Sequence, residues 1–215
     1  MWRRERLGRC QMNDLLRITE ADLVDGWYKE ERIDHDGDVR IECDMKVQGR
    51  MRVGGELLAD EALTVCGSLC VGGALRAAED VDVHGALDAA GYVVVDGHLI
   101  VASDIYTGGY MVVRRHLWAG GHVWANGYVR VRREVKAGMY IRADSTCEVG
   151  GSIEAGQGIS AVGSLVVGGA VGCGKDYAIR VMPYPWQPAG TQARIRCWRL
   201  VSGTVEVGRL EEVAR

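Results

Sequence analysis

From Asp38 to Lys175 the sequence repeats every six residues without insertion or deletion, a run of twenty-three hexads. The second residue of each hexad is Val, Leu, Ile, Met or Cys, and the fourth is Val, Ile, Ala, Thr or Cys, as in DVRIEC, ALTVCG, DVDVHG and SLVVGG. Residues two apart share one face of a strand. Each hexad is therefore a short strand with an apolar inner side, and its first, third and fifth residues face the other way. The sixth residue is Gly in 13 hexads, which reads as a corner taken at positive φ. A strand this short cannot bury its own apolar side. Stacked copies can, and the result is a solenoid.

A second period sets the size of the coil. Tyr92, Tyr110 and Tyr128 are evenly spaced by three hexads, as are Glu61 and Glu79, His98 and His116, and the pairs Arg114–Arg115 and Arg132–Arg133. Three hexads are eighteen residues. The expected fold is all-β: a three-sided parallel β-helix with three hexads to each coil, in which like residues stack as ladders. The hexads make about 7.7 coils, or roughly 35–40 Å at a strand spacing of ~4.8 Å. Composition agrees, with 30 Gly and only 3 Pro in 215 residues.

The rhythm of DVRIEC, ALTVCG and DVDVHG resembles that of the bactofilins, bacterial right-handed β-helices that polymerise end to end. The resemblance covers residues 38–175 and is one of pattern. The Gly-rich register is also similar to short solenoid proteins of unknown role carried by phages and other mobile elements. A six-residue repeat is shared with the left-handed β-helix of acyltransferases, in which a large aliphatic residue follows a small one by two positions. Here the larger comes first, Leu117 before Ala119 and Ile153 before Ala155, which favours the right-handed coil. Both hands satisfy the same inward pattern.

The repeat divides the chain into three parts. Residues 1–37 are expected to form an N-terminal cap, partly helical, because Thr19 and Asp22 match a helix-capping spacing ahead of an amphipathic stretch interrupted by Gly26. Residues 38–175 are the β-helix. Residues 176–215 are expected to form a C-terminal cap in which TQARIRCWRL and TVEVGRL pair as a β-hairpin across Val201-Ser202-Gly203. Caps at both ends depart from the disordered tails that usually flank a bactofilin core.

The third residue of each hexad faces out. Six in succession are apolar or aromatic, namely Val94, Ile100, Tyr106, Val112, Trp118 and Trp124, with Tyr92, Tyr110 and Tyr128 beside them. Contiguous apolar surface calls for an explanation, and aromatics beside arginines are what interface cores use. The expected protein-interaction residues are therefore Tyr92, Tyr106, Tyr110, Trp118, Trp124 and Tyr128, bordered by Arg114, Arg115, Arg132 and Arg133. The expected function is non-catalytic: self-association into a dimer or larger homo-oligomer, or binding of another protein. The other reading from the mobile-element resemblance is an inhibitor that blocks a host defence or nucleic-acid-processing complex.

Other classes fit less well. Basic residues from Arg114 to Arg142 enclose a single acid, Glu134, which would suit phosphate, but the net charge of -3 speaks against a general nucleic-acid binder. An acyltransferase-like enzyme could draw a general base from His35, His84, His98, His116 or His122, yet unbroken hexads leave no loop to shape a pocket. GGAVGCGK at 168–175 lacks the helix that a phosphate-binding loop needs. No metal or cofactor is expected. The seven cysteines lack CxxC spacing, and Cys66 with Cys70 is a weak ligand pair. No stretch approaches the ~20 apolar residues of a membrane span, so a cytoplasmic location is expected.

Overall fold

The computed structural model describes residues 14–187, 193–197 and 199–213. The chain coils through three sheets of 11, 10 and 11 strands. The first sheet holds Asp38–Ile41, Leu57–Ala59, Val93–Val95 and Met111–Val113 among its strands. The second holds Met45–Val47, Leu99–Val101 and Leu117–Ala119. The third holds Met51–Val53, Ile105–Thr107 and Val123–Ala125. From Asp38–Ile41 to Ala170–Cys173 successive strands within a sheet are parallel and three hexads apart in sequence, Val93 against Met111 and Met111 against Val129. The expected all-β, three-sided parallel coil is what the chain forms.

Every second and fourth hexad residue from Val39 to Cys173 is buried. A large residue at the second place and a smaller one at the fourth, Leu57 with Ala59 or Leu117 with Ala119, fill a narrow interior at close-packed density. Thr107 is the one buried polar residue among those described, and its hydroxyl donates to the Gly91 carbonyl at 2.7 Å.

The corners are turned differently from expectation. Among the described residues the glycines at positive φ are Gly26, Gly163, Gly203 and Gly208, and of these only Gly163 ends a hexad. The other corner glycines are needed for closeness between coils. A Cβ on Gly91 would lie 2.8 Å from the carbonyl carbon and oxygen of Gly73 and 2.9 Å from the Ala74 nitrogen. Without side chains the corners stack through hydrogen bonds: Gly91 donates to Gly73 at 2.8 Å, and Gly109 to Gly91 at 2.8 Å. Where the corner carries arginine the same bonds lengthen, to 3.2 Å from Arg115 to Gly97 and 3.3 Å from Arg133 to Arg115.

The coil runs past both ends of the hexads. At the N-terminal side Leu15–Ile18 pairs in parallel with Asp38–Ile41, and Ile33–His35 with Met51–Val53. The expected helix shrinks to one 3-10 turn, Glu20–Asp22, where the Thr19 N–H and hydroxyl both donate to Asp22 Oδ2, at 3.0 and 3.2 Å. The stretch after it is a hairpin, Leu23–Val24 against Trp27–Tyr28. Asp25 and Gly26, at φ 52° and 81°, form the two-residue turn that matches strand twist.

At the C-terminal side the expected hairpin is replaced by further coil. Arg194–Cys197, Arg199–Ser202, Thr204–Val207 and Arg209–Glu212 each lie parallel to the strand of the preceding coil. Single residues join these strands. One residue cannot reverse a chain, but a glycine at positive φ, Gly203 at 89° or Gly208 at 105°, can turn a corner. The coil lengthens between Ile159 and its partner Ile179, and shortens between Ile195 and its partner Leu210, so the hexad disappears while the coil persists. Eleven stacked strands make a rod of roughly 50 Å at ~4.8 Å each.

Candidate interaction surface

The coil distributes the six outward apolar residues around its girth. Val94 and Val112 neighbour each other on the first sheet, Ile100 and Trp118 on the second, Tyr106 and Trp124 on the third. The run is a ring, and no single flat partner can cover it.

The third sheet and its two corners gather most of the aromatic surface. Trp124 and Tyr106 are 40% and 38% exposed and meet edge to face at 5.9 Å. The Asn126 amide donates to the Tyr106 hydroxyl at 3.0 Å, and the Arg142 guanidinium lies 4.5 Å from the centre of a Trp124 ring. On the corner leading to the first sheet, Tyr92, Tyr110 and Tyr128 stack nearly parallel at 4.9 and 4.8 Å. Arg76 and Arg130 sit over the outer two rings at 5.2 and 5.7 Å. On the corner from the second sheet, His122 and Tyr140 stack at 5.8 Å, and the Tyr140 N–H donates to His122 Nδ1 at 3.3 Å.

Beside the Trp124 and Tyr140 rings lies a groove of about 430 Å³ lined by Trp124, Tyr140, Arg142, Ser160, Tyr177 and Arg180. Its cations are already matched: Arg142 binds Asp144 at 2.7 Å and Arg180 binds Glu206 at 2.6 Å. The groove thus offers ring faces and hydrogen-bonding groups with little free positive charge. Tyr140 and Tyr177 escaped the sequence reading. Tyr140 follows His122 by one coil length and was legible as a ladder, whereas Tyr177 stands beyond the last regular hexad.

The four arginines expected to border this surface lie elsewhere. Arg114, Arg115, Arg132 and Arg133 occupy the corner between the first and second sheets, which in a three-sided coil is opposite the third sheet. Trp118 belongs to that neighbourhood, 45% exposed and 5.9 Å from the His116 ring. Three of the nearby basic residues are neutralised by an acid one coil away: Arg114 by Asp96 at 2.9 Å, Arg130 by Glu148 at 2.8 Å, Lys136 by Glu154 at 3.5 Å. A linear window from Arg114 to Arg142 misses these partners because each lies a full coil away, outside it.

Three of the histidines, His98, His116 and His122, are parts of ladders. His98 and His116 stack at 5.2 Å, and His116 Nδ1 lies 3.8 Å from Glu134 Oε2. His35 Nε2 meets the Asp14 carbonyl at 2.7 Å, and His84 faces Asp82 at 3.6 Å. Cys66 is half-buried and Cys70 exposed; among the described residues the one trio of ligand types held close together is Asp44, Glu61 and Glu79, all exposed. Cys43, Cys147, Cys173 and Cys197 are buried, and burial pushes the Cys147 thiol up to about 12. Cys10 lies outside the described residues.

No helix among the described residues is long and apolar enough to cross a membrane. Comparison with known proteins gives no match: no family model fits the sequence, and no curated protein or solved structure is significantly similar. The likeness to bactofilins and to mobile-element solenoids therefore rests on the hexad pattern and the coil alone.

Proposed function

We propose that the chain is a non-catalytic interaction module that docks another protein on its third sheet. One observation carries this reading: Trp124 on the third sheet and Tyr140 at its corner stand exposed and line a groove of about 430 Å³, with exposed Tyr106 edge-on to Trp124. Aromatic anchors around a preformed recess are the pattern of binding hot spots. A sheet fixed by coils on both sides loses little conformational freedom on binding. Because Arg142 and Arg180 are matched by Asp144 and Glu206, the groove suits an apolar or aromatic side chain better than a phosphate. The ladder roles of His98, His116 and His122 favour a binding role over general base chemistry.

The test is capture from a lysate of the source cells with the unmodified chain and with Trp124→Thr and Trp118→Thr as parallel baits. The expected result is a discrete protein retained by the unmodified chain and by Trp118→Thr and lost with Trp124→Thr. Equal retention by all three baits would reject the third sheet as the docking face.

A further inference from the structure

The corner opposite the third sheet carries a second pattern. The residues that end successive first-sheet hexads there are Glu61, Glu79, Gly97, Arg115 and Arg133, each one coil above the last. Two acids, a glycine and two bases form a straight column that is symmetric in position and opposite in charge about Gly97. All four charged members are exposed, and none makes a side-chain hydrogen bond or ion pair with a described residue. This contrasts with nearby Arg114 and Arg130, which are matched within the chain by Asp96 and Glu148. Gly97 is buried at the centre of the column, with the Asp80 carboxylate packed against it.

We propose that this ridge pairs with a second copy of the chain in an antiparallel, two-fold dimer centred on Gly97. An antiparallel arrangement sets Glu61 against the partner's Arg133 and Glu79 against the partner's Arg115, and the two-fold axis repeats both contacts. A parallel arrangement would set acid on acid and base on base, which opposes association. A two-fold interface is self-complementary by symmetry, and a column whose charges invert about its midpoint meets that condition only with the rods reversed. With coils ~4.8 Å apart, the outer pairs are roughly 20 Å apart along the ridge. So narrow a contact covers less than the ~1,200 Å² of a stable interface, and the dimer is weak, concentration-dependent and sensitive to salt.

The inference deepens the reading as an interaction module and is independent of which face docks the other protein. Pairing on the ridge leaves both third sheets pointing outward, so the dimer presents two docking faces. Its test uses light-scattering mass over a concentration range for four samples: the unmodified chain, Arg115→Glu/Arg133→Glu, Glu61→Arg/Glu79→Arg, and an equal mixture of the two variants. The unmodified chain is expected to climb from 23.4 kDa towards twice that value in low salt and to fall back in 1 M salt, where the Debye length is only ~3 Å. Each variant alone faces like charge with like and stays at one chain. The mixture regains the dimer, because two of its four pairs are native and the other two are reversed. That rescue also shows that the variants fold, since the column already bears both signs in the native chain. An unmodified chain that stays at 23.4 kDa, or variants that dimerise as it does, would overturn the ridge dimer while leaving capture on the third sheet to stand or fall by itself.

Discussion

Gly91→Ala adds one methyl group at a corner and tests why the corners are glycine. The new Cβ would lie 2.8 Å from the Gly73 carbonyl and 2.9 Å from the Ala74 nitrogen, all backbone atoms that cannot swing aside. Relief requires the coils to part, which strains packing by about 1–3 kcal/mol. It also stretches the two 2.8 Å bonds that Gly91 shares with Gly73 and Gly109, each worth about 1 kcal/mol. The expected loss is about 2–4 kcal/mol, or roughly 5–15 °C in melting temperature for a chain of this length. Ser103→Ala is the control, a corner residue that already has a Cβ and should change stability by less than about 0.5 kcal/mol. Thermal unfolding followed by circular dichroism reads both, and hydrogen exchange should show lost protection on the coils beside Gly91. Melting of Gly91→Ala within error of the unmodified chain would refute the steric account of the corners.

Leu99→Ala, at a fully buried inward position, should cost about 2–5 kcal/mol, whereas Ile100→Ala on the outer side should cost less than about 1 kcal/mol; denaturant midpoints compare the two. A thiol reagent should label exposed Cys70 in the native chain but reach Cys147, buried and pushed up to about 12, only after unfolding. The Arg52 guanidinium holds the Asp34 carboxyl below its ordinary value of 3.8, so the stabilisation is complete above that pH and is lost as pH falls through the depressed folded value. Exchange-labelling at acid pH should therefore show Ile33–His35 losing protection on Met51–Val53 before the coils around Leu99 open.

The fold was legible because its signal is periodic. Inward burial at every second and fourth place follows directly from the hexads, and the three-hexad spacing of Tyr92, Tyr110 and Tyr128 reappears as a stack at 4.9 and 4.8 Å. The ends were harder to read. The longer coil from Ile159 to Ile179 and the shorter one from Ile195 to Leu210 carry the same parallel pairing with no fixed period, so TVEVGRL looks like half a hairpin. The Asp25-Gly26 turn was written in the sequence but was masked by the helix-capping signal of Thr19 and Asp22 just before it. The candidate surface was only partly legible for a geometric reason. Outward residues adjacent in the hexad series, such as Trp118 and Trp124, lie on different sheets, while residues one coil apart, such as Trp124 and Arg142, touch. Reading the outward positions along the chain gives a belt; reading them up each corner separates an aromatic face from a charged ridge.

That division makes one claim that can be measured directly. If the ridge pairs copies of the chain and the third sheet docks another protein, Tyr106→Thr/Trp124→Thr, both on the third sheet, should not alter self-association. Its light-scattering mass should climb from 23.4 kDa towards twice that value over the same concentrations as the unmodified chain. A double variant that stays at 23.4 kDa while the unmodified chain climbs would place self-association on the aromatic ring and contradict the separation of the two surfaces.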